Sequence, residues 1–284
     1  MNATNAQALA ATSMLSTSVL RAVSREGNSA HLAQSVVGQL VDSGIGDSAT
    51  TIRSLVWKCD RWLEKNYRSD HVYRKAIVTK MSPGGRSVLL PELRANKSII
   101  DFAIVSDLVH AFEIKSELDN SARLTAQLTD YRRIAPLVSL MASRRLVERV
   151  ALDDSFKSIG LAWLDSAGDV QLVRPAEPDF ANLNSETMMR TLRRDEYLNI
   201  NAALGFVLPE LPNTGIFSYA RNIARDIAPA LYHAQFAAQL RRRRPRAGSR
   251  AVGTIPAPLQ PALLKLNPTA DGLLRIRHWL KQEI

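Results

Sequence analysis

Apolar residues recur along this chain with two different periods, and the changes of period divide it into segments. Ile52, Val56, Cys59, Trp62 and Leu63 have the spacing of one helix face, with Ser48 or Asp47 placed to cap it. A second helical stretch carries Val72, Ala76, Ile77 and Met81 on one side, and the Ser-Pro-Gly-Gly-Arg sequence at 82–86 should break it. The period then falls to two. Residues 87–93, 98–105 and 108–115 read as short strands, with 106–108 brief enough to turn a hairpin. Helical spacing returns at Leu124, Leu128, Tyr131 and Ile134. A strand at 136–143, a helix at 145–152 and a hairpin at 158–175 turning on Ala167-Gly168-Asp169 follow.

From about residue 181 the pattern is helical, over 185–204, 216–240 and 272–282, and Pro229 should kink or split the middle stretch. Residues 241–261, rich in Arg, Pro and Gly, read as an exposed linker. Residues 1–46 are poor in aromatics and read as a polar, flexible segment. The expected organisation is therefore a flexible 1–46, an α/β core over 47–180, and a basic helical region over 181–284. No run approaches the roughly 18 apolar residues of a membrane span, so no membrane partner is expected.

Composition narrows the chemistry. With one cysteine, Cys59, the chain can form neither a disulfide framework nor a cysteine-based zinc site, which points to a reducing cytoplasm. The net charge of +10 is concentrated in the last third, including Arg241, Arg242, Arg243 and Arg244. Such a localised excess suits a polyanion such as nucleic acid. No Ser-His-Asp pattern or phosphate-cradling glycine loop is visible.

The remaining chemistry lies in residues 111–120, Ala-Phe-Glu-Ile-Lys-Ser-Glu-Leu-Asp-Asn. Alternation puts Ala111, Glu113 and Lys115 on one strand face and His110, Phe112 and Ile114 on the other. On the preceding strand it groups Asp101 with Ala103 and Val105, against Ile100, Phe102 and Ile104. Paired strands could bring Asp101 beside Glu113 and Lys115. Two carboxylates that close repel unless a cation lies between them, and a hard divalent ion suits such oxygen ligands. A lysine there could orient or deprotonate a water while the metal stabilises charge on a phosphate. Alone, Glu113 and Lys115 are equally what a solvated strand face carries, with an ion pair worth about 0–1 kcal/mol. Glu117 and Asp119 are expected to cap the next helix, with Asn120 or Ser121.

The stretch Ile-Ile-Asp-Phe-Ala-Ile-Val-Ser-Asp-Leu-Val-His-Ala-Phe-Glu-Ile-Lys resembles the core of the PD-(D/E)XK nuclease superfamily. Gln127 and Tyr131 on the following helix are similar to the Gln-x-x-x-Tyr element of RecB-like nucleases. Ile100 stands where many members have proline. The resemblance covers about residues 71–175 and implies an α/β fold with a restriction endonuclease-like αβββαβ core, flanked by additional N- and C-terminal helices. It further implies Mg2+, with Mn2+ as an alternative, held by Asp101, Glu113 and the Ile114 carbonyl. Glu92 would be an upstream acidic ligand. Lys115 would act on the water, and Gln127 and Tyr131 would support the site. The implied reaction is DNA phosphodiester hydrolysis in restriction, repair or defence, with defence preferred. Arg123, Arg132 and Arg133, together with Arg241 to Arg244, are candidates for phosphate contacts. A catalytically silent DNA-binding module, an RNA-directed nuclease and a helical interaction protein stay open. Many such nucleases act as homodimers, but nothing in the sequence marks a dimer seam.

Overall fold

The period-two segments assemble into one six-stranded mixed sheet in sequential order, β1 to β6. The strands are β1 (Val88–Ala95), β2 (Ser98–Val105), β3 (Val109–Lys115), β4 (Leu137–Ala142), β5 (Gly160–Leu164) and β6 (Val170–Arg174). This computed structural model describes residues 3–81, 87–207 and 209–284, so the expected break at 82–86 lies outside the described residues. β1, β2 and β3 form an antiparallel meander. β4 then runs parallel to β3, and β5 parallel to β4, which requires crossovers. The helix between β3 and β4 (Leu124–Arg132) and that between β4 and β5 (Arg144–Ala151) supply them.

Helices cover both faces. α1 (Ala3–Met14), α2 (Thr17–Glu26), α3 (His31–Asp42), α4 (Ile52–Asn66) and α5 (Asp70–Ala76) precede the sheet, and α5 runs on into a wider, π-helical turn at Ile77–Met81. The two crossover helices are α6 and α7. After β6 come α8 (Ser185–Thr191), α9 (Arg194–Ala203), α10 (Asn213–Asp226), α11 (Pro229–Leu240), α12 (Ser249–Val252), α13 (Gln260–Leu266) and α14 (Ala270–Trp279). Phe102, Ile104, Phe112 and Ile114 pack with α1–α5 and the last three helices in one core. Ile100, Ala103, Val105 and Ala111 pack with α6–α11 in the other. Among the described residues, no helix is long and apolar enough to cross a membrane.

Four expectations are corrected. Residues 3–42 are not a flexible tail: Ala11, Met14, Leu20, Val23 and Leu40 are fully buried. Their apolar face mixes alanines (Ala8, Ala10, Ala11, Ala30, Ala33) with larger residues, and it carries no aromatic side chain that would mark a core in the sequence. Residues 241–261 are not an exposed linker either, since Val252, Ile255 and Leu259 are buried there. The helix expected over 185–204 is broken at Leu192, whose backbone is extended (φ −87°, ψ 154°). Finally, α4 is capped by Thr51, which exchanges hydrogen bonds with Ser54, rather than by Ser48 or Asp47. At Pro229 the chain does start a new helix, with the proline in its first turn, where a missing N–H costs nothing.

Gly160 opens β5 where no side chain fits. A Cβ there would lie 2.3 Å from Ser139 Oγ and 2.8 Å from the Ala176 nitrogen. Because backbone cannot yield as a side-chain tip can, Gly160→Ala should destabilise the fold by about 2–3 kcal/mol. Urea unfolding would measure it, and an unchanged midpoint would contradict this packing.

Candidate active site

The register of β2 on β3, Phe102 opposite Phe112, carries Asp101 across from Glu113. At that point the regular ladder ends. Ile114 donates its backbone N–H to Asp101 Oδ2 (2.9 Å), so a carboxylate occupies the opening between the strands. In an antiparallel ladder a residue's N–H and C=O point to the same edge, which directs the Ile114 carbonyl toward β2 as well. The expected faces hold on β3 but not on β2, where Ile100 joins Ala103 and Val105 instead of Phe102 and Ile104. Glu92, across from Asp101 on β1, has a left-handed backbone (φ 53°), and β1 changes face at the same point, since Leu90 and Leu93 share one core.

Charges converge on this fork from both helical layers. From α5, Arg74 Nη2 donates to Asp101 Oδ1 (2.6 Å) and Arg74 Nε to Asp70 (3.0 Å). From β3, Lys115 Nζ lies 3.0 Å from Glu113 Oε1. From α6, the Tyr131 hydroxyl donates to the Ile99 carbonyl (2.6 Å) and also contacts Glu113 Oε2, so one proton serves two acceptors. Glu113 is 1% exposed, and burial, followed by repulsion from Asp101, raises its pKa to about 6. Burial also raises the Asp101 pKa, opposed by Arg74 and the Ile114 amide. The Tyr131 hydroxyl is likewise pushed up by burial and by Glu113, which keeps it a proton donor.

Gln127 lies one turn before Tyr131, with its Oε1 buried and, among the described residues, without a hydrogen-bond partner. Its side chain also interacts with the Tyr131 hydroxyl, so it borders the fork with one acceptor unused. Two hydrogen bonds hold α6 in register with the sheet: Asn96 and Ser98, in the β1–β2 hairpin, each donate to Asp130 at 2.7 Å.

Other expected residues are placed differently. Glu92 is exposed and its carboxylate is held by Lys265 of α13. Arg132 Nη2 donates to Ser158 Oγ (2.9 Å), tying α6 to the loop before β5. Arg123 and Arg133 are exposed at the two ends of α6. Arg241 pairs with Asp107 and Arg243 with Glu196, whereas Arg242 and Arg244 are exposed. Glu117 and Asp119 do not cap α6. Glu117 accepts from Tyr73 (2.8 Å), and Asp119 accepts from the Ser116 backbone and hydroxyl. Arg74 is the participant that sequence reasoning missed. Its only local signal is Asp70 four residues earlier, which reads as an ordinary helix-surface pair.

A model of the family described as Bacteriophage P4 protein cII matches residues 63–245, a span that includes the whole sheet and the fork. No curated protein and no solved structure shows a match.

Proposed function

The chain belongs to the bacteriophage P4 protein cII family, and we propose that it is a Mg2+-dependent nuclease hydrolysing DNA phosphodiester bonds at Asp101, Glu113 and Lys115. One observation carries the reading: two largely buried carboxylates from adjacent strands lie near enough where the ladder opens for Asp101 to act electrostatically on Glu113, with a lysine paired to the second. The order α5–β1–β2–β3–α6–β4, with β4 parallel to β3, supports a restriction endonuclease-like core.

The donor chemistry fits a hard divalent ion. Asp101, Glu113 and the Ile114 carbonyl supply oxygens. Among the described residues no third His, Cys, Asp or Glu joins them, so waters would have to complete the coordination of an ion held there. When bound, Mg2+ (or Mn2+) would stabilise charge developing on the phosphate oxygens. Lys115 would hold the attacking water by hydrogen bonding. Tyr131 fixes the Glu113 carboxylate, and Gln127 offers a free acceptor beside it. Arg74 would have to release Asp101 Oδ1 and would then be placed to meet the substrate's charge.

A second reading rests on that same arginine. Arg74 and Lys115 each neutralise one carboxylate, so the cluster is already charge-balanced. That is what a catalytically silent DNA-binding module would retain. Plasmid, single-stranded DNA and RNA incubated with Mg2+, Mn2+ or EDTA, beside Lys115→Ala, separate the two. Metal-dependent DNA cleavage should fall about 100-fold or more in the variant. DNA binding with no cleavage would favour the silent module, and cleavage of RNA alone would redirect the substrate.

A further inference from the structure

We propose that the cleft between β1 and the arginine-rich segment is the groove that seats the phosphodiester backbone of DNA and leads it to the fork. The proposal rests on the nuclease reading for its destination but stands on a separate surface. The cleft, of about 330 Å3, has β1 residues 89–93 as its floor, with Leu264 and Val252 beside them. Its walls bring together Arg193, Arg244, Arg246 and Lys265. Among the described residues that line it, Glu92 is the one carboxylate, and Lys265 already holds it. Arg244 and Arg246 are exposed, and neither forms an ion pair with a described carboxylate. An apolar floor under a row of cations suits a strand that presents bases to one side and phosphates to the other.

The arginine-rich segment is also held in shape. Arg241 bonds Asp107 (2.5 Å), and Arg243 makes two hydrogen bonds to Glu196 (2.7 and 2.6 Å). Arg246 donates its backbone N–H to Asn267 Oδ1 (2.8 Å) at the end of α13. Two arginines of the run are thus anchors, and Arg244 and Arg246 are left to line the cleft without a carboxylate partner. A neighbouring cleft shares Pro91 and Lys265 with this one and reaches Asp70 and Arg74, the residue bonded to Asp101. Phosphates bound along Arg244 and Arg246 would compete with Glu92 for Lys265, which lies between the two clefts.

The test is DNA binding by the full chain in EDTA, so that cleavage does not enter. Fluorescence anisotropy with a labelled single strand and a labelled duplex would compare wild type, Arg244→Glu/Arg246→Glu, and a control pair on the N-terminal helices, Arg21→Glu/Arg53→Glu. The cleft variant should lose about 10- to 100-fold in affinity and lower the slope of log K against log salt by about two. The control should change less than about twofold. Thermal melts matching wild type would exclude unfolding, as expected where neither arginine has a carboxylate partner. Equal binding by wild type and cleft variant, or equal loss in the control, would overturn the proposal. Glu113→Gln should bind like wild type, so a chain that binds through the cleft yet never cleaves would refute only the nuclease reading.

Discussion

Glu113→Gln should cut Mg2+-dependent DNA cleavage by about 10³-fold while leaving the fold at least as stable above pH 6. The substitution keeps the shape and an acceptor for Tyr131 but removes the charge that would hold the ion. Burial and the neighbouring Asp101 raise the Glu113 pKa to about 6, above the ordinary value of 4.5. In the folded chain the ionised form is therefore the disfavoured one. Its contribution to stability is present at low pH and is lost as pH rises from about 4.5 through 6. Above that window the ionised carboxylate costs about 2 kcal/mol, which glutamine relieves. Loss of the Lys115 partner offsets part of the gain. Cleavage rates beside urea midpoints at pH 8 would check both halves, and a variant that cleaves within about fivefold of wild type would exclude Glu113 as a ligand. In wild type, cleavage should fall as pH drops below about 6 and Glu113 takes up a proton.

Acid should also weaken the whole fold, and by more. Burial pushes His71, His110 and His233 down from 6.5 to about 4. A histidine kept neutral in the folded state binds its proton more readily once unfolded. Its stabilising contribution is therefore intact above pH 6.5 and is lost as pH falls toward 4. At pH 5.5 each such histidine costs about 1.4 kcal/mol, and the three together about 4. Glu113 opposes this by about 1 kcal/mol over the same range. A net loss of about 3 kcal/mol between pH 8 and pH 5.5 should appear as a lower urea midpoint. His233→Leu should remove about 1.4 kcal/mol of this loss, nearly half of the net acid sensitivity. A midpoint that stays level to pH 5.5 would mean that these rings are solvated.

The site was legible where its chemistry is local to a strand. Period two fixes the shared face of Glu113 and Lys115, and the short turn before β3 brings Asp101 across from Glu113. Tyr131 was legible through its helical spacing from Leu124 and Leu128. Arg74 was not, because its contact with Asp101 depends on how α5 lies over the sheet. Nor could alternation reveal Glu92, whose left-handed backbone breaks the pattern in a sequence that otherwise reads as a regular strand. The arginine run misled for another reason. As a sequence it is a block of like charge, yet Asp107 and Glu196, distant in the chain, turn two of its members into anchors. The fold followed the same division: the strands were readable from their period, and the N-terminal helices were not.

The central claim is that Asp101 and Glu113 jointly hold one divalent ion, and a Mn2+ titration followed by electron paramagnetic resonance tests it most directly. Wild type, Asp101→Asn and Glu113→Gln would each be titrated with a DNA oligonucleotide present. We expect one Mn2+ bound per wild-type chain and at least about tenfold weaker binding in each variant, with Mg2+ displacing the Mn2+. Binding unchanged in both variants, or none in wild type, would contradict the claim and leave Arg74 and Lys115 as the permanent partners of these carboxylates.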